Sequence, residues 1–155
     1  MGGRYLPGND EMMQNIDGHK RRRTIGRESV IGGLIAAHGV MHAVLLSTPR
    51  PDGGAGNFVT RGGEVPLLSS LGLGGAGVEA LGSALMLITA AGLLLSAFMY
   101  LRQVRGWERC LMASSTLSVV SLLLFWNSWM IMGPVISVGL MALALRSTMT
   151  TEVRA

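Results

Sequence analysis

The sequence predicts an all-α fold: an integral membrane four-helix bundle, N-in and C-in, with a short external cap rich in glycine and proline. Three observations carry this. Hydrophobic residues make up 49% of the 155 positions and charged residues only 14%, against about 25% charged in ordinary soluble domains. Four apolar stretches, 29–47, 78–101, 110–126 and 129–145, each approach the ~20 residues a helix needs to cross the hydrocarbon layer. Threading the chain through those four spans leaves eleven of its thirteen lysines and arginines on one side, the side that the positive-inside rule assigns to the cytoplasm.

Residues 1–28 form a polar cytoplasmic tail, in which Lys20, Arg21, Arg22, Arg23 and Arg27 stand directly before the first span and resist translocation. Within the tail, Asn9 to Ile16 reads either as a short interfacial helix capped by Asn9 or Asp10, with Met12, Met13 and Ile16 on one face, or as an unstructured tail. The first span has no small-residue cleavage site soon after its apolar core, so it is expected to persist as an anchor. The external loop that follows holds Pro49, Pro51, Gly53, Gly54, Gly56, Gly62 and Gly63, which argues for a loop or small cap. Residues 67–101 are too long for one straight span. The glycine run at 71–77 supplies a break, since each glycine weakens a helix by about 1 kcal/mol relative to alanine. Residues 66–72 therefore read as an interfacial or re-entrant piece.

The second and third spans are joined by a turn bearing Arg102, Arg105 and Arg109. The third ends in Phe125-Trp126-Asn127-Ser128-Trp129, an external turn whose tryptophans suit the interface. Pro134 falls near the start of the fourth span, where proline can begin or bend a helix, and residues 146–155 form a cytoplasmic tail. The expected location is thus the cytoplasmic membrane, with lipid as the immediate partner.

A net charge of +4 does not point to nucleic acid, because the basic residues flank apolar spans and form no patch with interleaved aromatics. Cys110 is the one cysteine, so neither an intrachain disulfide nor a cysteine-rich metal site can form.

His38 and His42, in His-Gly-Val-Met-His, lie four residues apart and share a helix face. Polar groups are expensive in hydrocarbon, so that face should look into the bundle or a wet cavity. Ile31, Ile35 and Leu45 continue the stripe. Four readings compete: two ligands of a transition metal that would need more, one axial ligand of a haem, a proton-relay or quinone-contacting site, and plain hydrogen bonding to serines or backbone between helices. Glu79, just after the glycine run, is the acid nearest to being intramembrane. Counting residues along the spans puts it at a depth similar to that of His42, where it could join a metal site with His38 and His42. Its bland role is to favour the helix N-terminus electrostatically.

Ser114, Ser118 and Ser121 repeat at helical spacing and make a polar stripe that should face inward. No Gly-x-Ser-x-Gly elbow accompanies them, so no catalytic residue is assigned, and an enzyme is the less favoured reading. Asn127 and Trp126 are candidates for an external pocket. Gly32, Ala36, Gly39 and Ala43 form a small-residue face that lets another helix come close, as do Gly33 and Ala37 on another side.

With His-Gly-Val-Met-His closing the first span and Leu-Phe-Trp ending the third, the chain resembles a group of small four-span bacterial membrane proteins that share a His-Gly-x-x-His first helix. It is similar more loosely to the DoxX-like four-helix proteins. The resemblance covers about residues 31–145 and implies the four-helix fold without an activity. Where the group carries an acidic residue after the Phe-Trp pair, this chain has Asn127 and Ser128.

Small size, few ionisable residues in the spans and no catalytic set point first to a non-catalytic subunit or accessory factor of a larger membrane complex. Other membrane subunits or self-association would use the Gly/Ala faces. The alternatives are a metal- or haem-binding protein for redox or proton-transfer work through His38, His42 and Glu79, and a small transporter.

Overall fold

A computed structural model describes residues 9–49, 57, 59–60, 65, 68, 70, 72–126 and 131–152. Among them the chain is all-helical, with four helices: α1 (Asn9–Ser47), α2 (Gly75–Leu101), α3 (Trp107–Leu124) and α4 (Met132–Glu152). Three contain stretches long and apolar enough to cross a membrane, Gly26–Ser47, Gly75–Leu101 and Met132–Met149. Helix α3 falls short because it opens on Trp-Glu-Arg and carries serines through its middle.

The helix starts follow local chemistry. The glycine run breaks the chain as expected, with Gly72 in the left-handed region (φ 81°) and α2 beginning at Gly75. Between α2 and α3 the turn needs two positive-φ residues, Gln103 (φ 54°) and Gly106 (φ 88°). Gly106 meets that demand without strain, having no Cβ. Pro134 sits in the first turn of α4, where a missing N–H costs no helical bond. At the N-terminal end, α1 runs unbroken from Asn9 to Ser47 over 39 residues, so the segment at 9–16 is joined to the span as one helix. At the other end of the chain, α4 continues past residue 145 to Glu152.

Consecutive helices pack antiparallel. Gly32 meets Leu101 and Gly39 meets Leu93 and Ala90, which aligns α1 against α2. Tyr100 stacks edge-on against Trp107 at 4.7 Å and Gly92 lies against Ser114, which aligns α2 against α3. Gly133 against Leu122, and Ser147 against Glu108, align α3 and α4.

Two apolar clusters result. One gathers Ile35, Leu93, Ala97, Tyr100, Trp107, Leu111, Leu140 and Ala144. The other, near the Gly/Pro loop, gathers Val78, Met86, Leu122 and Phe125 with loop residues Val59, Val65 and Leu68. The described loop residues therefore form a cap. Asn57 Oδ1 accepts from the Val59 and Thr60 backbone N–H groups at 3.0 and 2.8 Å, the Asx turn that an asparagine makes without help. Buried Thr60 then reaches Gly82, where an added Cβ would lie 2.6 Å from its methyl carbon. Of the piece expected at 66–72, Leu68 and Ser70 are helical and Leu68 is buried; residues 66, 67, 69 and 71 lie outside the described residues.

Candidate functional site

Between the two apolar clusters the bundle turns polar. Helix α1 supplies His38 and His42, α3 supplies Ser118, α4 supplies Ser137 and α2 supplies Met86. Both imidazoles and both hydroxyls are buried, Ser118 and Ser137 completely. The 3.6-residue period stacks the histidines one turn apart, with ring centroids 5.1 Å apart and planes crossed at 75°. Ser118 is the hub. Its Oγ lies 2.8 Å from His42 Nε2, 2.7 Å from Ser137 Oγ and 3.4 Å from His38 Nε2. Ser137 Oγ lies 2.9 Å from His38 Nε2 and also reaches its own helix at Gly133 O, 3.0 Å away.

The protons in this cluster follow from one contact. His42 Nδ1 lies 3.1 Å from Met86 Sδ. A thioether has no proton to give and accepts only weakly, so Nδ1 carries the hydrogen and donates it. In the neutral ring Nε2 is then an acceptor, and the Ser118 hydroxyl donates to it. Ser137 Oγ accepts from His38 Nε2–H and has one proton of its own for two acceptors, Gly133 O at 3.0 Å and Ser118 Oγ at 2.7 Å. When it donates to Ser118 the chain runs one way, His38 to Ser137 to Ser118 to His42, ending on Met86; when it donates to Gly133 O the chain stops at Ser137.

The other residues singled out in the sequence fall in different places. Ser114 is buried, as expected, but its hydroxyl donates to Cys110 O in its own helix at 2.8 Å. Ser121 is buried and its Oγ has no hydrogen-bond partner. Glu79 is half-buried one turn into α2, seven residues before Met86 and so about 10 Å along the helix from the level of His42. The imidazole partners are Ser118, Ser137 and Met86, and the structure does not bring Glu79 to them. Among the described residues no group of three or more His, Cys, Asp or Glu side chains comes together to hold a metal ion. Trp126 is exposed, and Asn127 lies outside the described residues.

The small-residue face divides. Gly32 and Gly39 are buried against α2 and Ala36 packs on the apolar cluster, whereas Ala43 is exposed. On the second small face Gly33 and Ala37 are exposed, with open space beyond Gly33.

Ser137 and Met86 are the site residues the sequence reading missed. Ser137 had a signal: it is the one polar side chain in the Val-Ile-Ser-Val-Gly-Leu run, and a lone hydroxyl amid aliphatics in a span has to find a partner. Met86 had none, being one of eleven methionines spread along the chain.

No family model matches the chain, and no curated protein and no solved structure matches it.

Proposed function

We propose that this chain is an integral protein of the cytoplasmic membrane with four crossings and both termini inside, acting as a non-catalytic subunit of a larger membrane complex. The observation that carries the reading is the contrast between a closed polar centre and an apolar outside. The imidazole nitrogens described above end on neighbouring side chains, while Val30, Leu34, Leu87, Ile88, Val135 and Val138 stand exposed on the flanks of α1, α2 and α4. A fourth crossing by α3 follows from its neighbours. It lies antiparallel between α2 and α4, and its serines are covered by other helices, where hydrocarbon does not meet them. The inward assignment of both termini rests on eleven of thirteen basic residues.

Two measurements test it. Cysteine labelling with a membrane-impermeant reagent should reach a tag residue in the N-terminal tail only after permeabilisation. Extraction in mild detergent should bring a larger partner with the chain. Migration as a lone monomer or homodimer overturns the subunit role, and labelling of the tail in intact cells overturns the topology.

A second reading has one observation in its favour. Contacts of 2.7 to 2.9 Å lead from His38 through two hydroxyls to His42, an arrangement that passes a proton between imidazoles when Ser137 turns from Gly133 O to Ser118, which suits a proton-transfer role. A transition metal or haem would have to displace Ser118 and Ser137 from the imidazoles. An optical spectrum and metal analysis of wild type and His42→Ala decide that version, and the absence of both a Soret band and bound metal removes it.

A further inference from the structure

We infer that the bundle end carrying the α2–α3 turn binds an anionic phospholipid, its phosphate held by Arg102, Arg105 and Arg109 and an acyl chain lying along the outer face of α2. The inference rests on the membrane reading above and adds a ligand to it.

Three features converge there. First, the turn is short: five residues, 102–106, separate the two helices, so three guanidinium groups cluster at one end of the bundle, all on exposed residues. Arg27 lies at the same end, five residues before the Gly32 that meets Leu101. Second, among the described residues none of Arg102, Arg105 and Arg109 takes part in an ion pair. Of the acids at this end, Glu28 is half-buried and Glu108 accepts from the Ser147 hydroxyl at 3.5 Å. Among the described residues these three guanidinium groups thus stand together with no carboxylate paired to them, at the level where a span leaves the hydrocarbon. Each such residue near a membrane surface attracts anionic headgroups, and the planar guanidinium fork matches phosphate oxygens in pairs.

Third, an apolar strip leads up to the charges. Phe98 is 55% exposed and Leu101 49%, and the Arg102 guanidinium sits over the Phe98 ring, 5.6 Å from its centroid. That stacking holds the fork at the boundary between strip and turn. A free phosphate ion has no use for the strip, whereas a phospholipid occupies both parts.

The test uses the full chain purified in mild non-ionic detergent, offered phosphatidylglycerol or phosphatidylcholine, with retained lipid counted by native mass spectrometry. Phosphatidylglycerol should be retained in preference. Each Arg→Gln change should lower that preference about fivefold, corresponding to about 1 kcal/mol per charge. The triple Arg→Lys variant, which keeps the charges and loses the forks, should retain a preference between those of wild type and the triple Arg→Gln variant, and millimolar inorganic phosphate should not displace the lipid. Equal retention of the two lipids, an unchanged preference in the triple Arg→Gln variant, or displacement by phosphate overturns the inference. If the triple variant loses its helical circular dichroism, the single variant Arg105→Gln decides by the same ratio. Recovery of the chain in the soluble fraction would instead defeat the membrane reading, so the two failures are told apart.

Discussion

Along the bundle axis the core changes chemistry, and its two kinds of region are held by different forces. Toward the arginine-bearing turn, Ile35, Leu93, Ala97, Leu111, Leu140 and Ala144 meet through apolar contact alone. One level further, His38, His42, Ser118 and Ser137 meet through directed hydrogen bonds. On the membrane reading proposed above, apolar side chains gain little by leaving one hydrocarbon for another, so the first region depends on shape and close approach. The second depends on register. Turning α1 by one residue rotates its face by about 100° and takes both imidazoles away from their serines. One region sets how near the helices come, and the other sets which residues face each other.

The largest expected effect breaks the close approach. A Cβ on Gly39 would lie 3.1 Å from Leu93 Cβ and 3.2 Å from the Ala90 carbonyl oxygen. The second of these belongs to helix backbone and cannot swing aside. Gly39→Leu should therefore destabilise the bundle by about 3 kcal/mol, the upper part of the overpacking range, seen as a lower midpoint in a denaturing-detergent titration. Gly33→Leu, on the same helix but with nothing within 4 Å of the added carbon, should hold the midpoint or raise it, by up to about 1 kcal/mol of stability, through helix propensity. Equal effects from the two glycines would mean that helix propensity, and not contact with α2, governs this helix.

Next comes the hub of the polar layer. Ser118→Ala leaves His42 Nε2 without its donor, while Ser137 keeps Gly133 O as an acceptor. Interhelical hydrogen bonds in membranes contribute from about 0.6 to 1.7 kcal/mol, and the stranded imidazole nitrogen puts this site at the upper end, about 1.5 kcal/mol. The same titration measures it. No loss would mean that the imidazoles find other partners at no cost, and the layer would then not define register.

How much of this contrast was legible in the sequence differs between its two halves. The helices and the glycine break were readable because apolar length and backbone freedom are local properties, and the burial of Ser114, Ser118 and Ser121 followed from their spacing. What the spacing could not tell is which serine would be used. Ser114 turns back to Cys110 O, Ser118 becomes the hub, and Ser121 is left without a partner. These outcomes depend on what α1 and α4 place opposite. The depth match expected between Glu79 and His42 came from counting residues inward from the ends of spans. The actual register is set where Gly39 lodges against Ala90 and Leu93, which brings Met86 to His42 and leaves Glu79 two turns away. Gly32 and Gly39, read as surfaces for another subunit, are taken up by α2 within the chain.

A smaller effect sharpens the picture of the polar layer without breaking it. Met86→Leu keeps the volume and removes the acceptor, so stability should fall by less than about 1 kcal/mol. The tautomer of His42 should respond more. With no sulfur facing Nδ1, the form protonated at Nε2 gains population and the hydroxyl chain can run in either direction. Nitrogen-15 chemical shifts of the imidazole, recorded on labelled protein, read the two forms directly. An unchanged Nδ1–H signature in the leucine variant would show that Met86 does not set the direction of the chain.

The smallest expected effect is at Ser115, three residues from the hub and also fully buried. Its Oγ has no hydrogen-bond partner, a state it shares with Thr89 and Ser121. A buried hydroxyl without a partner contributes nothing and carries a desolvation penalty. Ser115→Ala should therefore be neutral or stabilise by up to about 1 kcal/mol, where the same substitution at Ser118 destabilises. Two serines of equal burial and opposite response would tie the stability of the layer to hydrogen-bond geometry and separate it from polarity as such. If Ser115→Ala instead destabilises, its hydroxyl is being satisfied by water inside the bundle. The polar layer would then extend beyond the four side chains into a hydrated channel, and that outcome would move the balance from the subunit reading toward proton transfer.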